Sequence, residues 1–274
     1  MKKKRLALIP GASRPIGRAI ARAFADAGFE LLLPIYDWPD SIAEMNREFR
    51  ASGYSFTTAE VDLRVEEEVE SYLGIIKRQR GRLDVLVNNI ERGGMPIIHG
   101  SYSHPHNRDQ WQREIETTLN AKWFLYQHSL PLLQRGYDAS IINISSIAAN
   151  IGRTGPAALL FSDGYSAANG AISSLTTTWA REAAPHIRVN EIQLGMIDGR
   201  HGKGTRGWAE MSKKDRKRLR KHILLRRTGR ADEVAKTVLF LACDASYITG
   251  ASLRIDGGYT LGGENVPPLP PGIL

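Results

Sequence analysis

Tyr165-Ser166-Ala167-Ala168-Asn169 sets a phenol and a carboxamide four residues apart, a spacing that puts both on one face of a helix. A phenol can pass a proton to a carbonyl oxygen, and a cation beside it makes that transfer easier. Asn169 brings no charge, although its amide can donate hydrogen bonds to a sugar hydroxyl at shorter reach than a lysine. With no cation alongside, the phenol is expected to titrate near its ordinary value of about 10 and to be protonated at neutral pH. Upstream, the pair Ser145-Ser146 closes the apolar run Ile141 to Ile144, and strand alternation lets only one of the two face a given site.

The elements that must position these groups follow from the hydrophobic pattern. Short β-rich runs alternate with helical periodicity, which predicts an α/β fold: a Rossmann-type, doubly wound parallel sheet between two helical layers. Strands are expected at Leu6 to Ile9, Leu31 to Ile35, Ser55 to Val61, Leu83 to Asn88, Ile141 to Ser145, Arg188 to Ile192 and Ser252 to Ile255. Helices are expected at Arg14 to Ala27, Ile42 to Ala51, Val65 to Arg80, Tyr165 to Ala184 and Ala231 to Ala242. Ile90 to Arg108 holds Gly93, Gly94, Pro96, Gly100 and Pro105 and reads as a long loop. No repeat or linker divides the chain, so a single domain over 1–261 is expected, followed by an extended proline-rich tail over 262–274.

Gly11-Ala12-Ser13-Arg14-Pro15-Ile16-Gly17 follows the first strand and opens the first helix, where backbone N–H groups and the helix dipole can receive a pyrophosphate. Proline suits the first turn of a helix, at the loss of one backbone donor near the phosphates. With Asp62 at a strand end, Val87-Asn88-Asn89-Ile90, Ile248-Thr249-Gly250 and Asp256-Gly257-Gly258, this turn resembles the short-chain dehydrogenases/reductases over nearly the whole chain. The resemblance is strongest to 3-oxoacyl-carrier-protein reductase-like and pteridine reductase-like members.

The resemblance implies a nicotinamide cofactor, with Gly11, Ser13, Arg14, Ile16, Gly17, Tyr36, Asp62, Leu63, Asn89, Tyr165, Asn169, Gly195 and Ile197 around it. Arg14 in the turn suits a 2′-phosphate, whereas Asp37 beyond the second strand disfavours one; the balance favours NADP(H) over NAD(H). As a plain helix-start charge Arg14 would have no such role. The resemblance also implies that Asn120 holds a structural water, Ser146 polarises the carbonyl and Tyr165 is the acid, with Ser145 the alternative to Ser146. Hydroxyl and phenol then donate to one oxygen as a hydride reaches its carbon.

Several positions depart from the family pattern. Asn169 stands where the family has lysine, Pro15 replaces a glycine, Ile90-Glu91 replace small residues, Leu194 replaces proline and Gly199 stands near a usual threonine. The interval from Ser146 to Tyr165 is several residues longer than the family's, the excess lying within Ile151 to Asp163, where it is compatible with Tyr165 if it loops outward. The resulting expectation is an attenuated carbonyl reductase acting on a small-molecule carbonyl substrate. A non-catalytic nucleotide-binding or assembly subunit is the rival, and dehydration or isomerisation through Tyr165 with Asp163 or Asp198 a third reading.

Composition narrows the partners. One cysteine, Cys243, in 274 residues excludes a disulfide framework and suits the cytoplasm. The apolar run after Met1-Lys2-Lys3-Lys4-Arg5 is too brief for a membrane span. The net charge of +8 is concentrated between Lys213 and Arg227, inside the expected substrate lid at about 196–227. That basic lid suits an anionic substrate, such as an acyl thioester on a carrier, or is a solvated helix. It carries one tryptophan, Trp208, and no stacking array, so nucleic acid is not expected. His99, His104 and His106 lack the closed ligand set a metal needs. The resemblance implies a homodimer or homotetramer.

Overall fold

The computed structural model describes residues 4–36, 38–90, 110–198 and 211–263. Seven parallel strands form one sheet in the order β3-β2-β1-β4-β5-β6-β7: β1 (Leu6–Leu8), β2 (Glu30–Ile35), β3 (Phe56–Glu60), β4 (Val85–Asn88), β5 (Ala139–Ser146), β6 (Ile187–Leu194) and β7 (Ser252–Ile255). β1, β4 and β5 are buried throughout, as expected of parallel strands covered on both faces. The strand order reverses between β1 and β4, and the crevice beyond their carboxyl ends is where such sheets bind ligands.

One helical layer holds α1 (Pro15–Asp26), α2 (Pro39–Ala51) and α9 (Ala231–Cys243), packed on Ile9, Leu31, Val87, Ile144 and Ile192. In α1 the buried Ile16, Ile20 and Phe24 recur every four residues and form the stripe that meets the sheet. The other layer holds α3 (Glu66–Arg80), α5 (Ala121–Leu133) and α7 (Asp163–Ala183), packed on Leu86, Ile141 and Val189. Acidic residues in the first turn of α3 and basic ones in its last complement its dipole, and Gly81 ends it at φ 75°.

The observed elements correspond to those read from the sequence within a few residues, with two differences. The segment before β5 is helical: α4 (Gln110–Glu114) runs through a π-helical turn, Ile115–Asn120, into α5. The residues between Ser146 and Tyr165 do not loop outward, the condition under which the sequence left Tyr165 in place. They form α6 (Ala148–Ile151) and a 3-10 turn, Gly155–Leu159, and bury Ala157, Leu160 and Phe161. These pack into a third apolar cluster with Tyr165, Met196, Met211 and Tyr259, together with Leu219 from α8 (Lys213–His222). Burying three apolar side chains outweighs extending them into water, so the longer interval becomes one wall of the site.

Asp37, Glu91, the three loop histidines, Gly199, Trp208 and the tail from Glu264 lie outside the described residues. Among the described residues no helix is long and apolar enough to cross a membrane.

Candidate active site

The turn after β1 is built from backbone in close approach. A Cβ on Gly17 would lie 2.2 Å from the Gly11 carbonyl oxygen, and one on Gly11 would lie 2.4 Å from that of Asn89. Gly11 also sits at φ 70°, where a side chain is strained. The Asn89 amide donates to the Pro10 carbonyl at 3.2 Å and so ties the end of β4 to this turn. Ser13 and Ile16 are buried in it, and Pro15 takes the first helical position after Arg14, as the sequence suggested.

Beside the turn, cations and aromatic rings gather at the end of β2. Arg14 stacks over Trp38 at 4.2 Å and reaches Ser41 Oγ at 3.5 Å. Burial and the neighbouring Arg18 both weaken the hold of Arg14 on its proton. Arg18 is itself buried, donating to the carbonyls of Ser13 and Ser41 at 2.8 and 2.9 Å. The carboxylate of Asp62 is engaged by Arg64 at 2.6 Å, which holds it below the usual carboxylate range, and Arg64 lies over Tyr36. Asp62 thereby anchors Arg64. Leu63 packs its side chain into the α3 layer.

Across the crevice, Ser146 ends β5 and Tyr165 stands in the first turn of α7, where Ser162 caps the helix by accepting from the Tyr165 N–H at 3.1 Å. Tyr165 is 3% exposed. Burial pushes its phenol well above the ordinary range, the neighbouring Ser146 hydroxyl opposes this, and the charge of Glu114 adds to it. Ser145 turns the other way, donating to Glu191 Oε1 at 2.5 Å. The two serines thus separate: Ser146 meets Tyr165, and Ser145 joins a buried polar group with Glu191, Ser173, Gln193 and Ser252.

Asn169 is fully buried, and its amide donates back to the Tyr165 carbonyl at 2.9 Å, while its Oδ1 meets no described hydrogen-bond donor. Asn120 ends the π-helical turn and is half-buried, and no described side-chain hydrogen bond joins it to Ser146 or Tyr165. Thr118, two residues earlier, is fully buried, and its Oγ1 is likewise without a described partner. Asp163 is 57% exposed and pairs with Arg153, and Asp198 is exposed and bonded to Thr228. The two carboxylates named by the third reading are thus exposed and engaged by other residues. Gly195 lets the end of β6 approach Asp256, since its Cβ would lie 2.7 Å from the Asp256 Cα, and Ile197 packs buried beyond it.

On the segment leading into α5, the buried polar side chains Glu114, Thr118 and Lys122 are given no role by the sequence reading. Their signal is positional, because each is four residues from the next, and Lys122 shares the i, i+3, i+4, i+7 spacing of Leu125, Tyr126 and Ser129 on the buried face of α5.

A glycine turn facing a helix N-terminus, cations at the end of β2, and a buried serine–tyrosine pair across a topological switch point define an α/β dinucleotide-binding protein with a proton donor at its reacting end. The residues fit a nicotinamide dinucleotide: the turn admits close backbone approach, and Asn169 Oδ1 and Thr118 Oγ1 are buried polar atoms left free to meet a ligand.

Comparison with known proteins agrees. Residues 11–260 match the family described as Enoyl-(Acyl carrier protein) reductase. The chain is 30% identical over 260 residues to the 3-oxoacyl-[acyl-carrier-protein] reductase FabG of Staphylococcus aureus, covering 94% of this chain and 99% of that one. It is 28% identical to glucose 1-dehydrogenase 2 of Bacillus subtilis, covering 93% and 94%. Among solved structures, an NADPH-dependent 3-quinuclidinone reductase from Rhodotorula rubra superposes with a TM-score of 0.79 at 25% identity, over 94% of this chain and 92% of that one. The chain belongs to the short-chain dehydrogenase/reductase family and is an NAD(P)-dependent oxidoreductase.

Proposed function

We propose that this protein reduces a carbonyl group to an alcohol with NADPH, Tyr165 giving the proton and Ser146 holding the carbonyl oxygen. The observation that carries this reading is that Ser146 and the Tyr165 phenol are buried beside one another at the carboxyl end of β5. The nicotinamide, when bound, supplies the hydride that the carbonyl carbon receives. Tyr165 supplies the proton to the oxygen and recovers one from solvent after product leaves, so each turnover consumes one NADPH and one proton. Burial keeps the phenol protonated, which suits reduction and disfavours the reverse reaction, where a phenolate is needed. Asn169, on the same helical face, supports the nicotinamide ribose, and Asn120 contributes from the π-helical turn.

Preference for NADPH is supported by Arg14, held against Trp38 and Ser41, with Arg64 nearby, where a planar guanidinium can grip a 2′-phosphate. An anionic or carrier-bound carbonyl substrate is supported by α8, whose Lys213, Lys214, Lys217, Arg218, Arg220 and Lys221 are exposed beside the apolar wall of the site. The name of the Staphylococcus aureus relative points to the same class, a 3-oxoacyl group on a carrier protein. Assembly as a homodimer or homotetramer is supported by the exposed edge strand β7 and by the exposed Trp123 on α5, and light scattering on the purified protein tests it.

The direct test is titration calorimetry with NADPH and NADH, followed by NADPH oxidation over a panel of ketones, aldehydes and 3-oxoacyl thioesters. Tight NADPH binding and turnover that Tyr165→Phe abolishes are expected. Binding of neither nucleotide would remove the reductase reading.

A further inference from the structure

We infer that Lys122 supplies the active-site cation of this chain, reaching in from α5 where position 169 on α7 offers only an amide. The inference rests on the reductase reading and names a further residue of that site.

Lysines near the ends of helices ordinarily run their ammonium groups out to water. Lys122 does the opposite. It is 0% exposed, although the next residue, Trp123, is 40% exposed, and its Nζ donates to the Ile144 carbonyl at 2.7 Å. That carbonyl has a defined place. Backbone groups of even-numbered β5 residues turn toward β4, as the bond from the Ser140 N–H to the Asp84 carbonyl shows. β4 pairs no further than Asn88 with Asn143, so the Ile144 carbonyl lies just past the end of that ladder. Lys122 therefore caps the sheet at its carboxyl edge, two residues before Ser146.

The neighbours agree. Glu114 and Thr118 are fully buried on α4 and the π-helical turn, which pack against α7 where Tyr165 and Asn169 stand four residues apart, and Lys122 continues their spacing into α5, which packs on β5. Glu114 accepts from Ser162 at 2.6 Å and bears on the Tyr165 phenol. Thr118 lies between Glu114 and Lys122 in sequence, and its Oγ1 and Asn169 Oδ1 are without described partners. Glu191 on β6 is the carboxylate that favours the charged form of Lys122, against a burial that brings the ammonium down to about 7. Packing alone does not call for a lysine there, because a methionine of similar length would fill the space without the desolvation cost.

The test uses Lys122→Met, Lys122→Gln and the double variant Lys122→Met/Asn169→Lys, read by NADPH affinity, kcat, carbonyl KM and thermal midpoint. Lys122→Met should fold with an unchanged or higher midpoint. Its NADPH affinity should fall about five- to tenfold, the weight of one hydrogen bond, and its kcat about 10²-fold with little change in KM. Lys122→Gln, which can keep the bond to Ile144 without the charge, should lose as much kcat, and it serves as the single variant if the methionine fails to fold. The double variant should recover at least about tenfold of the lost kcat. Wild-type affinity and kcat in Lys122→Met or Lys122→Gln would overturn the inference, as would a double variant no better than Lys122→Met. If the wild type binds NADPH and reduces no carbonyl, the reductase reading fails on its own. The affinity arm still decides the role of Lys122: loss in the methionine variant and return in the double supports it, and no change rejects it.

Discussion

The two ends of the crevice are made of different material. The turn after β1 is made of backbone: Gly11, Gly17 and the Asn89 carbonyl approach so closely that no Cβ fits between them. The reacting end is made of side chains: Ser146, Tyr165 and Asn169 are each buried, as are Glu114, Thr118 and Lys122 on the neighbouring segment. A backbone device admits almost no variation, since any substitution meets an unyielding carbonyl. A side-chain device can be rebuilt by moving a charge from one helix to the next, provided each buried group keeps a partner. Departure from the family pattern at Asn169 is therefore tolerable in a way that departure at Gly17 would not be.

The sharpest way to break this contrast is Tyr165→Phe, which removes the proton donor and leaves packing against Phe161 intact. A loss of turnover of about 10²–10⁴-fold is expected, with NADPH affinity nearly unchanged. Gly17→Ala should give the opposite pattern. Its Cβ would lie 2.2 Å from a carbonyl oxygen, so NADPH affinity should drop by about 10²-fold in calorimetry and the thermal midpoint should fall. Arg14→Ala should act more gently, weakening NADPH about tenfold and leaving NADH unchanged, since only the 2′-phosphate contact is lost. Equal weakening of both nucleotides would show that Arg14 serves packing against Trp38 instead.

The smallest effect concerns stability. Burial lowers Lys122 from 10.5 to about 7, so between those values the unfolded chain binds a proton that the folded one does not. Stability should therefore rise with pH between about 7 and 10.5, by up to about 1.4 kcal/mol per unit, and show no slope from Lys122 below that range, where its desolvation cost is present in full. Denaturation of wild type and Lys122→Met across this window checks the sign: the difference in slope should vanish in the variant, which is also expected to be more stable by about 1–4 kcal/mol at neutral pH.

The same contrast explains what the sequence could reveal. Strand, glycine turn and helix follow one another between Leu6 and Asp26, so the cradle is local and its residue types are fixed by sterics. The central strands were legible because parallel strands covered on both faces need continuous apolar runs. The reacting end draws on residues from positions 114 to 191, and its partners are chosen by tertiary packing. Tyr165 and Ser146 were identifiable from motifs, and the burial that raises the phenol was not, because it depends on Phe161 and Met196 folding inward. The residue interval before Tyr165 reads as a loop by its glycines and prolines, yet its apolar residues complete a core. Lys122 shares the core-facing spacing of Leu125, Tyr126 and Ser129 on α5, but that spacing does not tell whether its ammonium stays inside or runs out to water.

The central claim is that the serine–tyrosine pair drives NADPH-dependent carbonyl reduction without a cation at position 169. The most direct measurement is single-turnover oxidation of bound NADPH by wild type and Tyr165→Phe, each with the same carbonyl panel. The account predicts that wild-type absorbance of the reduced cofactor decays with at least one substrate, and that the variant binds NADPH equally and does not decay. Equal decay in both proteins would contradict it.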